Sequence, residues 1–177
     1  MIPDLVFLLP SIPVFGLLVL FYRLSTIYRN SPKIESEKED NECLFDKEIT
    51  IVIPTYNEEL NIDKCLTSVI NSKKPPKGIS LLIVDDLSSD NTINVANSVM
   101  RELELTGISF DIISAGPRPK YKKWVGKNWA CAFASEKVKS EWILFLDADV
   151  ILQKDTLIKA LTFAVKNNID LLSLAPR

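Results

Sequence analysis

The segment ITIVIPTYNEE, residues 49–59, changes from a β-branched apolar run to a polar turn. The apolar part has the composition of a buried strand, and Pro54 ends that strand because proline lacks the N–H that a central ladder requires. Apolar residues then recur at helical spacing from Ile62 to Ile70, which predicts a helix with one buried face. The main domain therefore opens with a βα unit.

The same alternation continues along the chain. Apolar runs predict three further strands and the start of a fifth: ISLLIV at 79–84, ISFDIIS at 108–114, WILFL at 142–146 and DLLSLA from 170. Helices are predicted between them at 92–103, 129–138 (largely buried) and 155–165, with SSDNT and Asp155 as N-caps. Near-continuous apolar strands joined by helices predict an α/β fold, a mostly parallel sheet with helices on both faces. Ligands of such folds bind beyond the carboxyl ends of the strands.

The composition excludes several classes of protein. The 177 residues are 47% apolar and 25% charged, which is typical of a globular protein, and a net charge of -2 argues against nucleic acid as a partner. Histidine is absent, so no imidazole base and no histidine-ligated metal exists in this chain. Three widely spaced cysteines without a CxxC pair indicate free thiols in a reducing compartment.

The N-terminus predicts a membrane anchor. Residues 5–22 carry no charge, and as a helix they would span about 27 Å, close to the thickness of a bilayer core. Arg23 and Arg29 follow the run, which places the rest of the chain on the cytoplasmic side. We therefore expect a single anchor at 1–29, a polar linker at 30–48 and the main domain at 49–177. Pro10 and Pro13 leave a kinked or interfacial segment as the alternative.

The turn after the first predicted strand contains Pro54, Thr55, Tyr56, Asn57 and Glu58. It has neither the glycine pattern of a dinucleotide site nor that of a phosphate loop. An aromatic ring can pack on a nucleobase or ribose, and amide or carboxylate groups can bind sugar hydroxyls. The alternative is that the polar residues only cap the following helix.

Asp85 and Asp86 end the second predicted strand, where two adjacent carboxylates are costly to bury without a partner. A carboxylate at this edge can accept the imide N–H of a pyrimidine or bind ribose. The alternative is an Asx-type turn that leads into the next helix.

Asp147 and Asp149 follow the fourth predicted strand at i, i+2 spacing, which places both carboxylates on one face. Oxygen ligands without histidine or cysteine nearby favour a hard cation, Mg²⁺ or Mn²⁺, that shares its coordination with a diphosphate. Upstream, residues 118–127 hold five cations and no acid. This window can neutralise a leaving diphosphate, contact anionic lipid headgroups, or simply be a solvated loop.

Taken in order, PTYNEE, VDDLSSDNT and FLDADV resemble the motifs of family 2 glycosyltransferases of the GT-A fold. KWVGKNWA at 123–130 is similar to the membrane-associated branch that acts on hopanoid, carotenoid or similar lipid acceptors. The resemblance implies metal-dependent transfer of a sugar from a nucleotide-diphosphate donor to a lipid acceptor at a membrane. It implies that Asp147 and Asp149 hold the metal. The expected donor-binding residues are Pro54, Thr55, Tyr56, Asn57, Glu58, Asp85, Asp86, Lys127 and Asp147.

The family pattern continues beyond this sequence, which ends 28 residues after Asp149 without the acceptor-side strands or a catalytic base. We therefore expect a donor-binding half that transfers sugar poorly or not at all. One alternative is a non-catalytic, membrane-anchored nucleotide-sugar-binding protein. A minor one is a phosphotransferase, because LFLDADV also fits the nucleophile pattern of haloacid-dehalogenase-type phosphatases and LLIVDD suggests a receiver domain.

Overall fold

The computed structural model describes residues 11–30, 34, 45–103, 108–121 and 123–174. The first described element is helix α1, Ser11–Asn30. Its apolar side chains from Val14 to Tyr28 are largely exposed, for example Phe15 and Phe21 at 70% and 73%. Pro13 lies in the first turn, where a missing N–H costs no helical hydrogen bond.

The predicted membrane-spanning helix is not found among these residues. None of the described helices is both long and apolar enough to cross a membrane. Only the second part of the uncharged run lies in α1, because residues 5–10 are outside the described residues, and the rest of α1 carries Arg23 and Arg29.

The main domain is built on a sheet of four parallel strands in the order β3-β2-β1-β4. The strands are β1 (Ile49–Thr55), β2 (Ser80–Asp85), β3 (Ser109–Ser114) and β4 (Trp142–Phe145). Strand β1 is central and buried along its whole length, and its last residue, Thr55, pairs with Asp85. The carboxyl ends of these neighbouring strands therefore meet at one edge of the sheet.

Helices cover both faces of the sheet, as the sequence predicts. Ile51 and Ile53 of β1 face the larger core, which contains residues of α2 (Ile62–Asn71), α3 (Thr92–Leu103) and α5 (Thr156–Lys166). Val52 faces the opposite way, into a smaller core shared with α4 (Gly126–Lys137). Each fully buried isoleucine or valine contributes about 1.5–3 kcal/mol of hydrophobic stabilisation. The prediction of an α/β fold with a parallel sheet is confirmed.

Strand β1 does not end at Pro54, as predicted, but continues to Thr55, because its pairing with β4 stops at Val52, before the proline. Two further predicted elements differ more clearly from the structure. Helix α4 begins at Gly126 instead of residue 129, and it is not largely buried, since only Ala130 and Ala134 are fully enclosed. Residues 170–174 join no strand of the described sheet, so the expected fifth strand is wrong for these residues. Leu171 and Leu174 are 89% and 42% exposed, so the run lacks the burial that holds the other strands.

Residues at the predicted boundaries also have specific contacts. Phe45, within the predicted linker, is fully buried and packs edge-to-face on Trp142 at 5.7 Å. Most of the remaining linker lies outside the described residues. Asp155 occupies the N-cap position of α5 but makes no capping hydrogen bond. Its carboxylate instead pairs with Lys73 at 2.9 Å, a hydrogen-bonded contact that lowers the pKa of Asp155.

Candidate functional site

A cavity of about 450 Å³ lies at the carboxyl edge of the sheet. Four separate segments of the chain line it: the β1 turn, the β2 turn, the region leading into α4, and the turn after β4. The lining residues are Pro54, Thr55, Tyr56, Glu58, Asp86, Arg118, Gly126, Lys127, Ala130, Asp147, Ala148 and Asp149. Seven of the nine expected donor-binding residues, and both expected metal ligands, therefore come together at one place.

A second depression, of about 600 Å³, lies between α2 and the β4–α5 connection. It is larger but gathers no carboxylates from strand ends, and its walls include Thr67, Asn71 and Ile151. Because ligands of parallel α/β sheets bind beyond the strand ends, we assign the function to the smaller cavity.

Asn57 does not line the cavity, but its hydrogen bonds hold together two of the turns that form it. Its φ of 55° places it in the left-handed region, which asparagine tolerates better than most residues. The Ser89 N–H donates to Asn57 Oδ1 at 2.8 Å, and the Asn57 N–H donates to Ser88 Oγ at 3.0 Å. These bonds tie the β1 turn to the β2 turn.

Further bonds strengthen the same junction. The Glu58 N–H donates to Thr92 Oγ1 at 2.7 Å, and the Asn91 N–H donates to Glu59 Oε2 at 3.0 Å. Asp90 accepts the Thr92 N–H at 3.0 Å and the Glu59 N–H at 3.2 Å. Desolvation alone would raise the pKa of the Asp90 carboxyl, but hydrogen bonds from Thr92 and Glu59 lower it overall. The two turns therefore form a single hydrogen-bonded unit.

The adjacent carboxylates of Asp85 and Asp86 have different roles. The Asp85 carboxylate accepts the Ser88 N–H at 3.1 Å, which is the Asx-type turn that sequence reasoning left as the alternative. Asp85 does not line the cavity, whereas Asp86 does.

Asp86 forms an ion pair with Arg118 that determines one end of the cavity. Arg118 Nη2 lies 2.6 Å from Asp86 Oδ2, and the Asp86 side chain is only 4% exposed. Gly126 permits this contact, because an added Cβ would lie 2.7 Å from Asp86 Oδ2 and 2.8 Å from Arg118 Nη2. Sequence reasoning treated Arg118 only as part of a basic window. The available signal was the need of a buried carboxylate for a cationic partner.

At the other end of the cavity, Lys127 contacts the first aspartate of the DxD pair. Its Nζ lies 2.5 Å from Asp147 Oδ1, and the two side chains are 55% and 47% exposed. Lys127 belongs to the first turn of α4, and Asp147 follows β4. The pair therefore joins two elements that are distant in sequence.

The buried thiol of Cys65 contacts the turn that carries Asp147 and Asp149. Cys65 lies on α2 beneath the cavity, and its S–H donates to the Asp147 carbonyl at 3.6 Å. Burial first, and then the carboxylates of Asp149, Asp147 and Glu58, raise the pKa of Cys65 to about 12. Glu58, Asp147 and Asp149 all line the same cavity. Within the described residues, however, no group of three or more histidine, cysteine, aspartate or glutamate side chains is arranged to hold a metal ion.

Aromatic side chains position the segment that carries Arg118. The Trp129 Nε1–H lies 3.2 Å from the Ala115 carbonyl and 3.3 Å from the Gly116 carbonyl. Trp124 packs on Trp129 at a ring distance of 5.8 Å. Trp129 thus connects the end of β3 to α4.

The parallel sheet with an acidic cavity at its edge is consistent with an α/β domain of the GT-A class. A mannosyltransferase from Pyrobaculum calidifontis, solved with GDP-Man and Mn²⁺, shares the fold with a TM-score of 0.62 at 23% identity. The similarity covers 85% of this chain and 40% of that one. Residues 50–176 match Glycosyl transferase family 2, and the chain belongs to that family. The resemblance to family 2 glycosyltransferases is confirmed, whereas the lipid-acceptor branch within that family stays a prediction.

Two curated relatives differ in what their names say they glycosylate. A poly(ribitol-phosphate) beta-glucosyltransferase of Bacillus spizizenii is 32% identical over 70% of this chain. A 4,4'-diaponeurosporenoate glycosyltransferase of Staphylococcus aureus is 30% identical over 73% of this chain. The chain covers 18% of the first relative and 32% of the second.

Proposed function

We propose that this chain provides the donor site of a metal-dependent glycosyltransferase that uses a nucleotide-diphosphate sugar. The observation that carries the proposal is the single cavity that joins Tyr56, Asp86, Lys127, Asp147 and Asp149 at the carboxyl edge of the sheet. An aromatic ring and a carboxylate suit a nucleoside, and cations beside a DxD pair suit a diphosphate.

The nucleoside end is the Tyr56–Asp86 side of the cavity. Tyr56 is 58% exposed, so its ring is accessible for packing on a base. Asp86 accepts an N–H of the base while Arg118 keeps its charge compensated. The Thr55 hydroxyl donates a hydrogen bond to the Val84 carbonyl oxygen at 3.4 Å. Thr55 and Pro54 therefore form part of the cavity wall. Asn57 and Asp85 support the nucleoside end by fixing the two turns.

The metal end is the Asp147–Asp149 side, and its donor set fits Mg²⁺ or Mn²⁺. Both candidate ligands are carboxylates, which hard cations prefer, and two protein ligands leave positions for water and diphosphate oxygens. Asp147 and Asp149 line the same cavity, so both carboxylates are available to one cation. When bound, such a cation stabilises the negative charge that develops on the leaving diphosphate. Mn²⁺ in the Pyrobaculum calidifontis neighbour is a further reason to propose it.

For the acceptor we propose a lipid at the cytoplasmic face of a membrane. The name of the diaponeurosporenoate relative and the exposed apolar side chains of α1 support this choice. A polyol-phosphate polymer is the second candidate, on the name of the Bacillus spizizenii relative. A vesicle flotation assay tests whether the chain binds a membrane, as the lipid proposal requires. An enzyme that acts on lipids and is attached through α1 should float with the vesicles.

The donor site is tested by calorimetry of UDP and GDP with the full chain, with Mn²⁺ or with a chelator. We expect one of the two nucleotides to bind only with metal, and Asp149→Asn to abolish that binding. Asp111→Asn is the matched control, because Asp111 lies on β3 outside the cavity and the change removes the same charge. Equal affinity in the chelator would contradict the proposal. Hydrolysis of a phosphate monoester that depends on Asp147 would instead favour a phosphotransferase.

A further inference from the structure

The position of Lys127 is not explained by the stability of its own helix. It lies in the first turn of α4, a turn without acidic residues, where the positive end of the helix dipole disfavours a cation. The side chain nevertheless makes a short contact with Asp147 Oδ1. The attraction of Asp147 therefore outweighs the unfavourable placement.

The contact is suited to exchange. Both partners are about half exposed, and an ion pair in such surroundings is weak because water competes for both charges. A divalent cation that also binds Asp149 offers Asp147 a stronger partner. The long lysine side chain can then move its three N–H donors into the cavity that it already lines.

Charge balance gives the exchange a direction. Without a bound cation, Glu58, Asp147, Asp149 and Lys127 together carry a net charge of -2. A divalent cation on the two aspartates brings this total to 0 and releases the ammonium group, so that the cation and the lysine can both contact a diphosphate. Metal and diphosphate binding are thereby coupled through one side chain.

On the basis of the donor site proposed above, we propose that Lys127 is a tethered counter-ion, a positive charge that stays attached to the chain while it changes partners. It pairs with Asp147 when no metal is bound and transfers to the donor diphosphate when a divalent cation binds. Lys127 thus opposes the binding of metal alone and favours the binding of metal with nucleotide.

The proposal predicts changes of opposite sign in Lys127→Met. Mn²⁺ affinity without nucleotide, measured by electron paramagnetic resonance, should rise about two- to fivefold, as expected for loss of a competing half-exposed ion pair. Affinity for UDP or GDP in saturating Mn²⁺ should fall about tenfold, as expected for loss of one charge-assisted hydrogen bond. Lys127→Arg should keep the wild-type Mn²⁺ affinity, because it retains the cation.

Lys139→Met is the matched control for the general effect of removing one positive charge. Lys139 is exposed, lies between α4 and β4, and does not line the cavity. Both affinities of this variant should remain at wild-type values.

Chemical labelling measures the movement of Lys127 directly. Acetylation of Lys127, read by peptide mass spectrometry against Lys139, should be slow in the free chain, faster with Mn²⁺ alone, and slow again with Mn²⁺ and nucleotide. Asp147→Asn should give fast labelling without metal.

The outcomes separate this inference from the proposed donor site. If the wild-type chain binds metal-nucleotide but Lys127→Met leaves both affinities unchanged or lowers both, the counter-ion role is wrong and the donor site stands. If the wild-type chain binds neither ligand, both proposals are overturned.

Discussion

Replacing Gly126 by alanine adds a single methyl group at the most crowded point of the site. The new Cβ would lie 2.7 Å from Asp86 Oδ2 and 2.8 Å from Arg118 Nη2, where ordinary contact begins at 3.4 Å. The φ of Gly126 is not positive, so alanine fits the backbone and the whole conflict is with the ion pair. The pair must therefore separate or shift.

The size of the effect follows from the burial of the two partners. Breaking a fully buried ion pair costs about 3–5 kcal/mol because a charge is left without compensation. Asp86 is buried, but Arg118 is 47% exposed and water already screens part of the interaction. A helix prefers alanine over glycine by up to about 1 kcal/mol, which offsets part of the loss. The expected net decrease in the free energy of unfolding is about 1–2 kcal/mol.

Urea denaturation of Gly126→Ala, Arg118→Ala and the double variant tests this reasoning. The Gly126→Ala penalty should shrink in the Arg118→Ala background, because the guanidinium that the methyl group displaces is no longer present. Gly16→Ala is the matched control, since Gly16 is helical and an added Cβ there meets nothing within 4 Å. Unchanged stability of Gly126→Ala, together with no coupling in the cycle, would refute the steric account.

Three further changes test the surroundings of the site. Asn57→Ala should lower the free energy of unfolding by about 1–3 kcal/mol, because the Ser89 N–H loses its acceptor and alanine disfavours the positive φ. Asn57→Gly should lower the free energy of unfolding by less, and equal urea midpoints for the two variants would contradict this. Leu87 has a φ of 64°, so Leu87→Gly should keep or raise the urea midpoint, and a clear decrease would show that its side chain makes a needed contact. Cys65 keeps its proton when folded but loses it near pH 9 when unfolded, so its contribution is complete below pH 9 and declines as pH rises towards 12. Urea denaturation between pH 8 and 10 in the presence of a chelator should show this decline in the wild type but not in Cys65→Ala. Iodoacetamide at pH 8 should leave Cys65 unmodified, and rapid labelling would disprove its burial.

The strands that a sequence can predict are those with a continuous apolar run and a defined end. ITIVIP and ISLLIV gave β1 and β2 within one residue, because burial on both faces leaves little choice of conformation. The run from 170 has three leucines interrupted by a serine, and its burial depends on a neighbour that the run itself does not specify. The failure of the fifth strand follows from that dependence.

The site could be predicted as a location but not as a set of contacts. Strand ends place the turns at one edge, and this rule alone brought the β1, β2 and β4 turns together. It does not say which of two adjacent carboxylates faces the cavity, since that depends on the turn that Asp85 forms with Ser88. The strand-end rule also does not predict the role of Arg118, whose partner Asp86 lies 32 residues away in the sequence.

The bonded unit of the β1 and β2 turns limits how this domain can be re-engineered. The side chains of Asn57 and Glu59 accept hydrogen bonds from the N–H groups of Ser89 and Asn91 across the junction. A chimera that imports one turn from a relative leaves N–H groups of the other turn without acceptors, even when every residue facing the nucleotide is chosen well. Residues 55–59 and 86–92 should therefore be exchanged together as one cassette.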